Sequence, residues 1–372
     1  MSWWNVLTWF KSSDPVDAQA QYQLAEKLLY PDFEDAWVDQ VRAIEVGDTR
    51  TMMKMSRQVN KRAEQRKALR PHALRLLRKA AEQGYGEAQF SLGYEYLMST
   101  DEVVEPEQAF FWFNKAAAQG EQAAMEELAR MYLNGNGVVQ DYERARFWLR
   151  KAAEENNVRA LTELATLYMQ GLGTQQDVSQ AVALYRQAAE LDYCEAQRHL
   201  GDYYTQLSPP DYQQALFWYS KGAQEEGNAM ICLGDMYAQG QGVEQDYAQA
   251  NHWYQKSVAA YQLEGHYRLG LAYLNGLGVA VDYGLSADHF SEAANVGIAP
   301  AQFELAKLYQ QGLGVVQDIE EVYYFASAAA MHGHEPAQVL CVWAAAQLSD
   351  ELKVELDERV SYLFDSNVKQ CV

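Results

Sequence analysis

Apolar residues recur along this chain in a helical rhythm that glycine interrupts at regular intervals. The stretch AMEELARMYLNGNGVVQDYERARFWLRKAAEENNVR, residues 124–159, shows the unit. Ala124, Leu128 and Tyr132 lie four residues apart and predict one amphipathic helix. Asn134-Gly135-Asn136-Gly137 breaks it, and Asp141 suits the N-cap of a second helix that buries Ala145, Trp148, Ala152 and Ala153. Two short helices cannot hide their apolar faces alone, so the recurrence of this hairpin predicts stacking.

The copies align closely. First helices begin at Ala88, Ala124, Ala160, Ala196, Ala229, Gly265 and Ala301, with a terminal half-unit at Ala337, at a period of 36. The exception is Ala196 to Ala229, which is 33, and the three missing residues are expected in the glycine loop, replaced there by Leu207-Ser-Pro-Pro-Asp211. The fifth position is leucine in all seven units (Leu92, Leu128, Leu164, Leu200, Leu233, Leu269, Leu305). The sixth is Gly or Ala, which lets a neighbouring helix approach. The ninth is tyrosine: Tyr96, Tyr132, Tyr168, Tyr204, Tyr237, Tyr273, Tyr309. Asp141, Asp177, Asp211, Asp246, Asp282 and Asp318 fall where helix N-caps belong, and Trp112, Trp148, Trp218 and Trp253 head the second helices. Aromatic residues in such register read as core, not as a carbohydrate or base-stacking platform. The expected fold is all-α: a solenoid of helix-turn-helix repeats.

Four regions follow. Residues 1–14 form an aromatic N-terminal segment whose Trp3, Trp4, Trp9 and Phe10 either seal the end of the stack or anchor a partner or a membrane interface. Residues 15–84 are degenerate repeats, with helices expected at Ala20–Ala25, Ala36–Gly47 and Ala73–Gly84. Residues 85–345 are the regular repeats. Residues 346–372 are a capping helix and tail: Ser349 or Asp350 caps a helix carrying Leu352, Leu356, Val360 and Leu363, which is expected to close the last repeat.

Charge sharpens this picture. The 372 residues carry a net −21, of which residues 1–84 contribute +3 and the remainder −24. An acidic body repels nucleic acid and anionic lipid, so a DNA or RNA groove along the repeats is excluded. From Arg50 to Lys79, however, there are 11 Lys/Arg and a single acid, Glu64. This block (Lys54, Arg57, Lys61, Arg62, Arg66, Lys67, Arg70) either binds an external partner or lies against the chain's own acidic repeats. Cys194, Cys232, Cys341 and Cys371 show no pairing pattern, which suits a reducing compartment. MSWWNVLTWFKSSD lacks a basic n-region, and no apolar run reaches the length of a spanning helix, so a cytoplasmic protein is expected.

The consensus A-x-x-x-L-G/A-x-x-Y-x-N/Q-G-x-G-V-x-x-D-x-x-x-A-x-x-W-x-x-K-A-A resembles the Sel1-like repeat family, relatives of the tetratricopeptide repeats. Leu269-Gly270-Leu-Ala-Tyr273-Leu-Asn275-Gly276-Leu-Gly278-Val279 carries the resemblance, as does Asp246-Tyr-Ala-Gln-Ala250-Asn-His-Trp253-Tyr-Gln-Lys256. It covers residues 70–345 clearly and 18–69 weakly. The resemblance implies an α/α right-handed superhelix whose first helices line a concave face used for binding proteins. It also implies a scaffold or adaptor without catalytic motif. Some bacterial members look like secretion-system accessories or immunity proteins. A branch with a disulfide in each repeat has been linked to β-lactam binding, but this chain lacks the paired cysteines.

Positions not needed for packing are where binding specificity can be written. Position four reads Ser91, Glu127, Glu163, His199, Cys232, Arg268, Glu304, and position seven reads Tyr94, Arg130, Thr166, Asp202, Asp235, Leu271, Lys307. The two lie one helical turn apart. Glu127, Arg130, Glu163, Thr166, His199, Asp202, Cys232, Asp235, Arg268, Glu304 and Lys307 are therefore the expected lining for a protein or peptide partner. His332-Gly-His334-Glu335 has no third ligand at suitable spacing, so no metal or cofactor is expected. The leading reading is a non-enzymatic adaptor. Its alternatives are an immunity or adaptor protein for a secreted bacterial toxin, a scaffold held at a membrane by residues 1–14, and a hydrolase using His199.

Overall fold

The structure is a computed structural model that describes residues 17–29, 69–98 and 105–370, with side chains described as far as residue 361. The expectations for Trp3, Trp4, Trp9 and Phe10, for the helix at 36–47 and for Lys54, Arg57, Lys61, Arg62, Arg66 and Lys67 fall outside the described residues. Those described contain helices and connections and no strand.

The chain divides into two compact units, residues 1–181 and 182–372. The first holds α1 (Ala18–Leu29), α2 (69–82), α3 (Gly86–Leu97), α4 (Pro106–Ala117), α5 (Gln122–Asn134), α6 (Tyr142–Ala153) and α7 (Val158–Gln170). After α8 (Val178–Glu190), the second holds α9 (Cys194–Gln206), α10 (Tyr212–Gly222), α11 (Gly227–Gln239), α12 (Tyr247–Ala259), α13 (Glu264–Asn275) and α14 (Tyr283–Asn295). It continues with α15 (Ala299–Gln311), α16 (Ile319–Met331), α17 (Glu335–Ala345) and α18 (Asp350–Gln370). From α3 to α7 and from α9 to α17, helices adjacent in sequence pack pairwise, as the repeat predicts.

Each hairpin is set by its loop. Gly135 ends α5 in the left-handed conformation at φ +68°, and its N–H reaches the carbonyl of Met131. Gly137 has φ +67° and lies so close to α4 that a Cβ there would sit 2.5 Å from the Pro106 backbone. Asp141 then caps α6, its carboxylate accepting from the N–H of Arg144 at 3.0 Å. Its own N–H donates back to the carbonyl of Tyr132 at 2.9 Å. The same backbone clamp recurs from Asp177 to Tyr168, Asp211 to Tyr204, Asp246 to Tyr237, Asp282 to Tyr273 and Asp318 to Tyr309. The glutamine before the cap adds a second tie: Gln140, Gln176, Gln245 and Gln317 each donate Nε2 to a carbonyl of the preceding helix's last turn. Polar residues invisible to an apolar periodicity therefore close the loops.

The short repeat departs from its expectation. Asp follows the tyrosine by nine residues elsewhere and by seven at Tyr204–Asp211, so the loop loses two residues, not three. The third is lost after the cap, where α10 has 11 residues against 12 or 13 in its counterparts. Gly222, at the end of α10, makes room there: a Cβ would lie 3.1 Å from that of Ala229.

The core also shifts by one position. Leu149 is fully buried on α6, while Trp148 and Ala153 are half-buried. In every unit the residue after the tryptophan position goes deepest: Phe113, Leu149, Tyr185, Tyr219, Tyr254, Phe290 and Phe325 are all buried. One residue is a 100° rotation of the helix, which a four-residue spacing argument does not resolve. Phe290 and Phe325 share a core cluster with Leu305, and Tyr254 shares one with Leu269, each leucine worth about 2 kcal/mol of burial. At Gly201 and Gly234 the ring lies hard against position six: a Cβ on Gly201 would stand 2.4 Å from Tyr219 and one on Gly234 2.5 Å from Tyr254.

At the C-terminal end, Leu352 N–H donates to Ser349 Oγ at 3.3 Å, capping α18 as expected, and Leu356 and Val360 are buried. The helix packs on α16, through Tyr323 to Asp357 at 2.8 Å. Val339, Val342 and Trp343 of α17 stay exposed, because α18 lies against the neighbouring helix.

Candidate partner-binding face

Positions four and seven of the first helices share one side of each hairpin, and their side chains are mostly half-buried. In residues 1–181, Arg130 on α5 bonds Glu127 one turn away at 2.7 Å and reaches Glu163 on α7 at 4.0 Å. Thr166 turns its hydroxyl onto the carbonyl of Thr162 at 3.1 Å. Leu149 is the second-helix side chain of the repeat that carries Glu127 and Arg130, and it has no polar atom to offer.

In residues 182–372 both position-seven aspartates are tied to the second helices. Asp202 receives the Tyr219 hydroxyl at 2.7 Å and Arg198 Nη1 at 2.7 Å. Asp235 receives the Tyr254 hydroxyl at 2.7 Å and, from α13, Arg268 Nε and Nη2 at 3.0 and 3.1 Å. Arg268 also lies 3.4 Å from Glu264. Cys232 lies on the same helix as Asp235, one turn before it. Glu304 and Lys307 pair at 2.6 Å on α15. His199 stacks on Tyr185, centroids 4.9 Å apart at 18°, and stands 3.9 Å from both Glu195 and Asp202.

The electrostatics agree with the geometry. Burial, and then the charges of Cys232 and Asp202, push the Tyr219 hydroxyl well above its usual range; burial and then Asp235 do the same to Tyr254. Both hydroxyls stay protonated and serve as fixed donors. Burial, with Asp202 and Asp235 adding to it, pushes the Cys232 thiol up to about 12. A thiol held protonated is the reverse of an activated nucleophile. Within residues 182–372 the face therefore carries anchored carboxylates beside guanidinium groups.

Arg70 of the basic block bonds Glu95 of the first regular repeat at 2.8 Å, and Arg78 donates to Tyr96 at 2.7 Å, so these two lie against the chain's own helices. His332 meets the carbonyl of Ala328 at 2.8 Å, and His334 lies on Phe303 with centroids 4.8 Å apart. Among the described residues, no group of three or more His, Cys, Asp or Glu is arranged to hold a metal. None of the described helices is long and apolar enough to cross a membrane. Tyr219, Tyr254 and Arg198 are the members of the face that reading by repeat position misses. Their signal is joint: aspartate at position seven occurs only where a Trp-Tyr pair and a position-six glycine accompany it.

Comparison with known proteins adds the family. The Sel1 repeat matches residues 68–85, 86–121, 122–157, 158–193, 194–226, 227–260, 263–297 and 299–334. A Sel1 repeat protein from Oxalobacter formigenes is similar in structure, with TM-score 0.59 and 26% identity over 91% of this chain and 89% of that one. A protective antigen of uropathogenic Escherichia coli with an SLR fold aligns at TM-score 0.39 and 23% identity, over 98% of this chain and 95% of that one. An immunity protein from Pseudomonas aeruginosa aligns at TM-score 0.42 and 20% identity, over 56% and 80% respectively. No curated protein matches the chain.

Proposed function

Because the chain belongs to the Sel1 repeat family, an all-α helical-repeat scaffold, we propose that it is a non-enzymatic adaptor that holds a protein or peptide on the first-helix face. The observation that carries this reading is the anchoring of Asp235. It is fixed by the Tyr254 hydroxyl and by two Arg268 nitrogens, yet it and Arg268 remain 28% and 29% exposed. Carboxylates and guanidinium groups held in place before a partner arrives lose little side-chain entropy on binding. Glu304 with Lys307 extends the display to a further repeat of the same unit. Free, scattered thiols at Cys194, Cys232 and Cys341 suit work in a reducing cytoplasm.

The test is affinity purification of the full chain, with mass spectrometry, against a double variant Glu304→Lys/Lys307→Glu. This exchange keeps net charge and touches no second-helix hydroxyl, so circular dichroism should be unchanged. Partners recovered by the native chain are expected to be lost or weakened by about tenfold, the worth of one well-placed charge pair. An unchanged partner list in this variant and in Arg268→Glu would sink the reading.

A further inference from the structure

The exposed side of α6 carries a surface of another kind. Glu143, Arg146, Phe147, Arg150, Lys151 and Glu154 fall on successive turns of one stripe and line a shallow groove of about 240 Å³. Within Tyr142–Ala153 there are four bases and one acid, in a chain of net −21. Arg144 is used locally, 3.3 Å from Asp141 and over the Tyr132 ring at 5.6 Å. Arg146, Arg150 and Lys151 make no ion pair with any described residue, and Arg146 Nε is shielded from water without a hydrogen-bond partner.

Packing does not require this stripe, since Ala145, Leu149 and Ala152 do the burying. Phe147 is 51% exposed, with Lys151 lying 4.9 Å from its ring centroid. The preceding repeat places Phe111, 48% exposed, and Lys115 at the same register on α4, 4.4 Å apart. Consecutive repeats of this unit thus present an open ring beside an uncommitted cation.

We propose that this face of α6, extended by Phe111 and Lys115, docks an acidic amphipathic segment of another protein. Two carboxylates about one turn apart, roughly 6 Å, would meet Arg146 and Arg150. An aliphatic or aromatic side chain between them would cover Phe147. Glu143 and Glu154 bound the stripe at its two ends, so a narrow segment fits between them whereas a flat anionic bilayer meets both. The surface is separate from the first-helix face and shares no residue with it.

Display of random dodecamer peptides on the full-length chain tests this. The expected winners carry two Asp or Glu three or four residues apart with Leu, Ile or Phe between, and bind more weakly as salt rises. Synthetic copies should lose about tenfold or more in Arg146→Glu/Arg150→Glu, and likewise in Arg150→Glu/Lys151→Glu, where both altered residues are exposed and folding is not at issue. Phe147→Ala should cost several-fold, and Glu304→Lys/Lys307→Glu less than twofold. Winners lacking the acidic pattern, or binding the two charge variants as well as the native chain, would overturn the proposal. So would phosphatidylserine vesicles that pellet the native chain and not Arg150→Glu/Lys151→Glu, an outcome that assigns the face to a membrane.

Discussion

Glu127, Arg130 and Glu163 in residues 1–181, and Asp202, Asp235 and Arg268 in residues 182–372, occupy the same register positions of the same repeat but are held differently. The first cluster pairs along the helix surface, and Arg130 is 39% exposed. The second is tied to the core, because Tyr219 and Tyr254 replace the apolar residue found at Leu149 and carry a hydroxyl up to the carboxylates. A phenol at the place of Leu149 thus ties the carboxylates to the core, where leucine leaves an ion pair on the surface. In these two repeats the ring lies against position six, where Gly201 and Gly234 stand; its counterpart beside Leu149 is Ala129.

The most damaging way to break that comparison is Gly234→Ala. The new methyl meets the Tyr254 ring at 2.5 Å, so urea unfolding should show a loss of about 2–3 kcal/mol. Ala129→Gly should cost only about 1 kcal/mol, from helix propensity. If the two substitutions cost the same, the ring is free to move aside and position six does not hold the Tyr254 hydroxyl in place. Next comes Asp235→Ala, which strands Arg268 and the Tyr254 hydroxyl together. About 2 kcal/mol is expected, against about 0.5 kcal/mol or less for Arg130→Ala. A double-mutant cycle with Tyr254→Phe should return a coupling of about 1 kcal/mol. The smallest effect is chemical. With its thiol pushed up to about 12, Cys232 should be alkylated by iodoacetamide at pH 8 far more slowly in the native chain than in urea. Equal rates would mean that burial and the two aspartates do not hold the proton.

Much of the frame is legible in the sequence because the repeat tests itself seven times. Leucine at position five, tyrosine at nine, the glycine turn and the aspartate cap all land where the spacing puts them. What periodicity misses is rotational or polar. Trp148 and Leu149 are neighbours that differ by 100° around α6, and both are apolar, so only packing shows which goes inside. Gln140 and Gln176 look like loop filler, although their amides close the preceding helix. The network at Asp235 joins residues 19 and 33 positions apart, and nothing in a single copy links them. Arg70 is a further case: its charge could be counted in advance, but not its partner Glu95.

The bond from each capping aspartate N–H back to the tyrosine carbonyl makes the loop between them a joint whose length is not transmitted to the helices. Nature has already taken two residues out of one such joint, at Tyr204–Asp211, and the clamp closes there at 2.9 Å as it does elsewhere. Val139 and Val316, 84% and 85% exposed just past the second glycine, mark the points where two of these joints lie open to water. These are natural grafting sites, at which a fluorophore, an epitope or a protease cassette can be carried one per repeat while the spacing of neighbouring helices stays as it is.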